Sequence, residues 1–259
     1  MFPIRDDNPQ ILTPYATYAI IGLNVAAWIF VQGLGSDGML AQSICTLGLI
    51  PGELLNIVPA GTRLPLGPGV ACVLGESSTW YTAISSMFLH GGWFHIIGNM
   101  WFLWIFGNNV EDSMGSVRFV VFYLLCGLAA AALQIATNPA STVPMVGASG
   151  AIGGVMGAYV LLYPRVHVHM LVIFGFFATT IAVPAFLMLG YWLVVQLISG
   201  FGSLGGQGGG VAFWAHVGGF VAGAVLVLVF RNPRLLARHP YHGWRRRRLP
   251  TESWRRIGR

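Results

Sequence analysis

Apolar residues gather into long runs along this chain, at Tyr15–Leu34, Phe94–Phe106, Phe119–Ala136, Ala151–Tyr163, Leu171–Ser199 and Val211–Phe230. A helix needs about 20 residues to cross a hydrocarbon layer ~30 Å thick. The pattern therefore predicts six membrane spans. The second and fourth runs are short on hydropathy alone, because His, Asn, Ser and Gly extend each of them outward in place of Leu and Val. Leu171–Ser199 is long enough to be cut at Pro184 into two crossings. A seventh crossing would send the arginine-rich tail to the other side, so one tilted or Pro-kinked span is expected.

Composition agrees with this pattern. Of 259 residues, 55% are hydrophobic and 8% charged, which excludes an ordinary soluble domain. All 14 basic residues are arginine, and cytoplasmic loops of membrane proteins collect such residues. With both termini cytoplasmic, Arg5, Arg118, Arg165 and the arginines from Arg231 to Arg259 lie inside and Arg63 alone lies outside. The expected fold is an all-α membrane protein, a six-transmembrane-helix bundle with both termini cytoplasmic. Residues 1–14 form a cytoplasmic N-terminal segment, 15–231 the bundle and 232–259 a basic cytoplasmic tail. The first apolar run follows a short polar lead and is long enough to stay as an anchor, so no cleavable signal peptide is expected. The tail "RHPYHGWRRRRLPTESWRRIGR" could bind nucleic acid or acidic lipid. The preferred reading is a solvated topology determinant resting on anionic headgroups, with no nucleic-acid partner.

The first outer loop, roughly Gly35 to Trp80, is the longest and contains Cys45 and Cys72. In an oxidising compartment these could pair, or they could be two unpaired small residues; Cys126 lies within a span and should be free. The last outer loop, "SGFGSLGGQGGG", has the composition of a flexible flap. No GxGxxG, Walker, CxxC or HExxH motif occurs, so no metal or cofactor is expected and the chemistry must come from His, Asn and Ser.

Ser149, in "GASG", stands where a loop ends and the fourth span begins. Its hydroxyl and the free amides of the first turn lie at the positive end of a helix dipole. A capping serine would look the same. The GxSxG elbow of soluble hydrolases is excluded, because the residue two after Ser149 is Ala151 and a membrane helix follows. His216, in "WAHVGGFVAG", lies six residues into the last span. An ionisable side chain there costs about 2.5 kcal/mol or more unless it faces a partner or a watery cavity. Gly219 and Gly223 continue the face of His216, and Gly153 and Gly157 lie below Ser149, so the two helices can approach closely. In "HGGWFHIIGN", His95 and Asn99 share one face of the second span and could donate hydrogen bonds to a developing oxyanion or join helices. His90 lies further out, in a structural or interfacial position.

Depth links these residues. Counted from the inner boundary of each span, Ser149, His216 and His95 each lie about 15 or 16 residues out, roughly 22–24 Å above the cytoplasmic edge. A serine, a histidine and amide donors at one level, reached by water from outside, describe a nucleophile, a base and an oxyanion hole. No Asp or Glu lies at that depth, so the arrangement would be a dyad. Hydrolysis of an acyl bond within the membrane follows.

"GASG", "AHVGG" and "HGGWFHIIGN" followed by "GNNVED" resemble, in order and in topology over nearly the whole chain, the rhomboid family of intramembrane serine proteases. The resemblance implies Ser149 as nucleophile, His216 as base, and an oxyanion hole from His95, Asn99 and the Ser149 amide, with Gly147, Gly150, Gly219 and His90 in support. It implies a fifth span acting as a lateral gate beside the second, and a capping loop before the last span. It also implies substrates that are single-pass membrane proteins cut near their outward end. The expected location is a bacterial inner (cell) membrane, in contact with its lipids, with the site opening to the outer side. Some family members carry an aromatic residue one turn after the serine, packed on the histidine; here that position is Gly153, so the His216 ring is held by Trp214 or a residue of another span, or is held more loosely. Two rival readings are an inactive relative that escorts transmembrane helices, and a transporter; the first usually lacks the serine or histidine, and the second would more often show internal repeats.

Overall fold

The computed structural model describes residues 2–67, 70–75, 80–175, 177–203 and 211–241. The chain begins with strand β1 (Phe2–Asp6) and helix α1 (Tyr15–Ala26), which runs on through a π-helical turn at Ala27–Val31. The long loop that follows holds α2 (Asp37–Leu47), α3 (Pro51–Leu54), the strands β2 (Arg63–Gly67) and β3 (Val70–Val73), and α4 (Thr82–Ser85). Then come α5 (Trp93–Met114), α6 (Ser116–Thr137), α7 (Ser149–Leu162), strands β4 (His167–Phe174) and β5 (Phe177–Pro184), α8 (Ala185–Ser203), α9 (Phe213–Phe230) and α10 (Pro233–Leu236). Among the described residues, α6, α8 and α9 are long and apolar enough to cross a membrane, while α1 with its extension and α7 are apolar but shorter. The Gly-rich half of the expected flap and the tail beyond Tyr241 lie outside the described residues, whereas Ser199–Ser203 continue α8.

The run Leu171–Ser199, expected as a single span, is instead two structures, and the fold is accordingly not all-α. Its first part belongs to an antiparallel hairpin, β4 with β5, and only the part from Ala185 onward is helical. The strands are rich in β-branched and aromatic residues, which favour a pleated surface. Gly175, at φ +60°, supplies the left-handed turn between them, and Pro184, without an N–H, ends the ladder just before α8 begins. Apolar content could not separate strand from helix here, and the third strand comes from far away: β1 pairs with β4, Phe2 opposite Leu171. The sheet bridges α5 and α8. The Trp101 indole of α5 donates to the Pro3 carbonyl at 2.6 Å and Phe2 meets Phe102 edge-on, while β4 and β5 lie against α8.

At the end of α5 opposite its His-rich start, Glu111 and Asp112 hold the chain entering α1. Glu111 accepts from the amides of Ala16 and Thr17 and from the hydroxyls of Thr17 and Ser116. Asp112 accepts from the amides of Ile11 and Leu12. Glu111 thereby satisfies amides that the first turn of α1 leaves without acceptors, and Asp112 holds the segment just before it. Both are buried at the end of α5 opposite His95.

The centre of the bundle is the parallel pair α7 and α9, whose backbones touch. A Cβ at Gly219 would overlap the Gly150 carbonyl, one at Gly223 the Gly154 carbonyl, and one at Gly157 the Phe220 carbonyl. This is close packing through small residues, and it brings the N-termini of the two helices side by side. In the outer loop, Cys45 of α2 and Cys72 of β3 form a disulfide, and Cys126 is free and buried.

Candidate active site

Four helix segments converge at one end of the bundle: the N-termini of α5, α7 and α9 and the C-terminal part of α8. Ser149 is the first residue of α7 and His216 the fourth of α9. The register of the glycine faces aligns these ends, and the Ser149 Oγ lies 2.8 Å from the His216 Nε2. The His216 Nδ1 lies 2.7 Å from the Gln196 Oε1 of α8. An amide oxygen only accepts, so the ring hydrogen sits on Nδ1 and Nε2 presents its lone pair to the serine. A hydroxyl so placed can pass its proton to the imidazole as it attacks a carbonyl.

The sequence left open what holds the His216 ring. Trp214 does not: its indole donates to the Gly200 carbonyl at 3.2 Å and it packs edge-on against Phe201. The ring lies against Trp192 of α8, centroids 5.8 Å apart. At Gly153 an aromatic side chain has no room, because a Cβ would come within 2.9 Å of the His216 carbonyl oxygen.

His95 and Asn99, on one face of α5, sit across from the serine. The Gly91 amide donates to the His95 Nδ1 at 3.2 Å, which puts the hydrogen of the neutral ring on Nε2, the nitrogen facing the site. Asn99 is buried, and its Nδ2 has no acceptor among the described residues. Gly147 lies between them at φ +126°; a Cβ there would come within 2.6 Å of the His95 Nε2 and 3.5 Å of the Asn99 Nδ2. A bare backbone is thus required where these donors converge. The Gly147 amide is spent on the Ser86 carbonyl at 2.9 Å. Gly150 sits against Ala130, where a Cβ would lie 2.7 Å from the alanine methyl.

His90 lies outside the spans and is fully buried behind His95, the ring centroids 5.1 Å apart. Gln32 clamps its backbone from both sides, accepting from the His90 amide at 2.8 Å and donating to its carbonyl at 2.7 Å. Burial, with His95 beside it, holds the His90 imidazole down at about 3, from an ordinary 6.5. The unfolded chain therefore binds a proton that the folded one refuses. The stability from this residue is complete above pH 6.5 and is lost as pH falls from there toward 3. In detergent, His90→Phe is expected to lose less thermal stability than wild type over that interval; parallel curves would contradict this.

The groups border a cavity of about 660 Å³ between α5 and α8, lined by His95, Asn99, Ser149, His216 and Trp192 among others. Its walls come from α5, α7, α8 and α9. Sequence reasoning brought together Ser149, His216, His95 and Asn99. It missed Gln196 and Trp192, and Gln134, whose Oε1 accepts from the Ala215 amide at 3.1 Å at the start of α9. A glutamine inside an apolar span was the available signal for Gln196.

Comparison with known proteins gives this geometry a lineage. The chain matches the Rhomboid domain over residues 77–233. It is 34% identical over 149 residues to the Rhomboid protease GluP of Bacillus subtilis, a match covering 58% of this chain and 26% of that protein. It is 36% identical over 83 residues to Rhomboid-like protein 11, chloroplastic, of Arabidopsis thaliana, covering 32% and 29%. RHOMBOID-like protein 1 of Arabidopsis thaliana is 30% identical over 161 residues, covering 62% and 37%. The chain spans between about a quarter and two fifths of the length of these relatives. With a matched domain over more than half its length and helices long and apolar enough to cross a bilayer, this multi-pass integral membrane protein belongs to the rhomboid family.

Proposed function

We propose that the protein is an intramembrane serine endopeptidase acting through a Ser149–His216 dyad. The observation that carries this reading is the 2.8 Å approach of the Ser149 hydroxyl to the His216 Nε2, beside an Asn99 Nδ2 that has no acceptor among the described residues. Ser149 attacks the carbonyl carbon of a peptide bond while its proton passes to Nε2. The oxyanion forms against the His95 Nε2–H, the Asn99 Nδ2–H and the Ser149 amide, which as the first of α7 has no acceptor within its own helix. The imidazolium then protonates the leaving amine, and water repeats the cycle on the acyl-enzyme.

The substrates are single-pass membrane proteins that enter between α5 and α8 and are cut near their outer end. A peptide bond within a helix is shielded, so Gly or Pro near the cut lowers the cost of unwinding. The topology that fits is six spans, counting α1, α5, α6, α7, α8 and α9. Residues 1–14 and 232–259 are cytoplasmic around a bundle at 15–231, and the site opens to the outer side of a bacterial cell membrane. The basic tail rests on anionic lipid.

In proteoliposomes, a single-pass substrate with a Gly-containing outer segment is expected to be cut by wild type and left whole by Ser149→Ala. Cutting by both would end this reading. Asn99→Ala is expected to lower kcat by about 10²- to 10³-fold with little change in KM, because its donor is needed chiefly in the transition state. An unchanged kcat would remove Asn99 from the oxyanion hole.

A further inference from the structure

We propose that Gln196 is the positioning residue of the His216 base. The inference rests on the reading of Ser149 and His216 as nucleophile and base.

For Nε2 to accept the serine proton, the imidazole must be in the Nδ1–H tautomer with its plane fixed, and a buried Nδ1–H needs an acceptor. In the described residues Glu111 caps α1 and Asp112 holds the segment before it, at the far end of α5, and Glu53 accepts from the Gly75 amide in the outer loop. The acceptor is instead the Gln196 Oε1, 2.7 Å from Nδ1, on a side chain that is itself buried. A neutral amide can occupy this depth where a carboxylate would be costly. One turn earlier on the same face, Trp192 lies over His216 at 5.8 Å and stacks on Phe220 at 6.0 Å, so α8 supplies both the wall and the acceptor for the ring.

The test compares wild type, Gln196→Leu and Gln196→Glu in detergent micelles. A fluorophosphonate labels Ser149, a single-pass substrate gives kcat and KM, and thermal unfolding confirms that each protein is folded. Gln196→Leu is expected to label about ten- to a hundredfold more slowly and to lose kcat without a rise in KM. Gln196→Glu, which keeps an acceptor, is expected to stay within a few-fold of wild type. The acid limb of its rate profile should move up by roughly one pH unit, since a carboxylate favours the imidazolium. His95, the titratable group set against His216 across the cavity, is common to all three. Folded Gln196→Leu labelling at the wild-type rate with an unmoved acid limb would overturn the proposal. A folded wild type that never labels would overturn the dyad, and the proposal with it.

Discussion

Gly219→Ala and Gly223→Ala are each expected to destabilise the folded protein by on the order of 3 kcal/mol or more. In most membrane helices a methyl group would find lipid or a yielding side chain. Here each new Cβ would overlap a carbonyl oxygen of α7, at Gly150 and Gly154, and backbone cannot rotate away. The helices would have to separate, and with them the Ser149 Oγ and the His216 Nε2, so activity should fall together with stability. Gly22→Ala and Gly190→Ala are the controls, since a Cβ at either meets nothing within 4 Å. Those two should be neutral or gain up to about 1 kcal/mol in helix propensity. Unfolding in mixed micelles separates the pairs; equal effects at all four sites would refute the close parallel packing of α7 and α9.

Removing either member of the proposed Ser149–His216 dyad is expected to reduce substrate cleavage at least about a thousandfold, and removing both to reduce it no further. The reason is mechanical coupling. Without His216 the Ser149 hydroxyl has nowhere to send its proton, and without Ser149 the imidazole has nothing to activate. What remains in each case is binding and the oxyanion donors. Ser149→Ala, His216→Ala and the double variant, assayed in one proteoliposome preparation, should therefore give one common residual rate. A double variant much slower than either single would mean that the two residues act independently.

The parts of this architecture written into local sequence are those where a side chain's chemistry conflicts with its surroundings. Ser149, His95, Asn99 and His216 are polar residues at the ends of apolar runs, and the glycine rows beneath Ser149 and His216 predict the close helix pair that the structure contains. The count of residues to each inner boundary places them at a common level because helical rise is regular. What sequence could not resolve depended on partners distant in the chain. The segment from His167 to Pro184 is apolar enough for a helix, and it becomes sheet through pairing with β1, more than 160 residues earlier. The pairing of Cys45 with Cys72 rests on how α2 and β3 fold against each other. Gln196 announced itself only as a polar residue in an apolar span. Its partner, a ring nitrogen on another helix, emerges from the packing of α8 on α9.

The measurement that bears most directly on the proposed chemistry is covalent labelling of the detergent-purified protein by a fluorophosphonate, comparing wild type with Ser149→Ala and His216→Ala. Labelling of wild type that vanishes in both variants is the result expected from an activated serine whose proton goes to His216. No labelling of folded wild type, or undiminished labelling of His216→Ala, would contradict it.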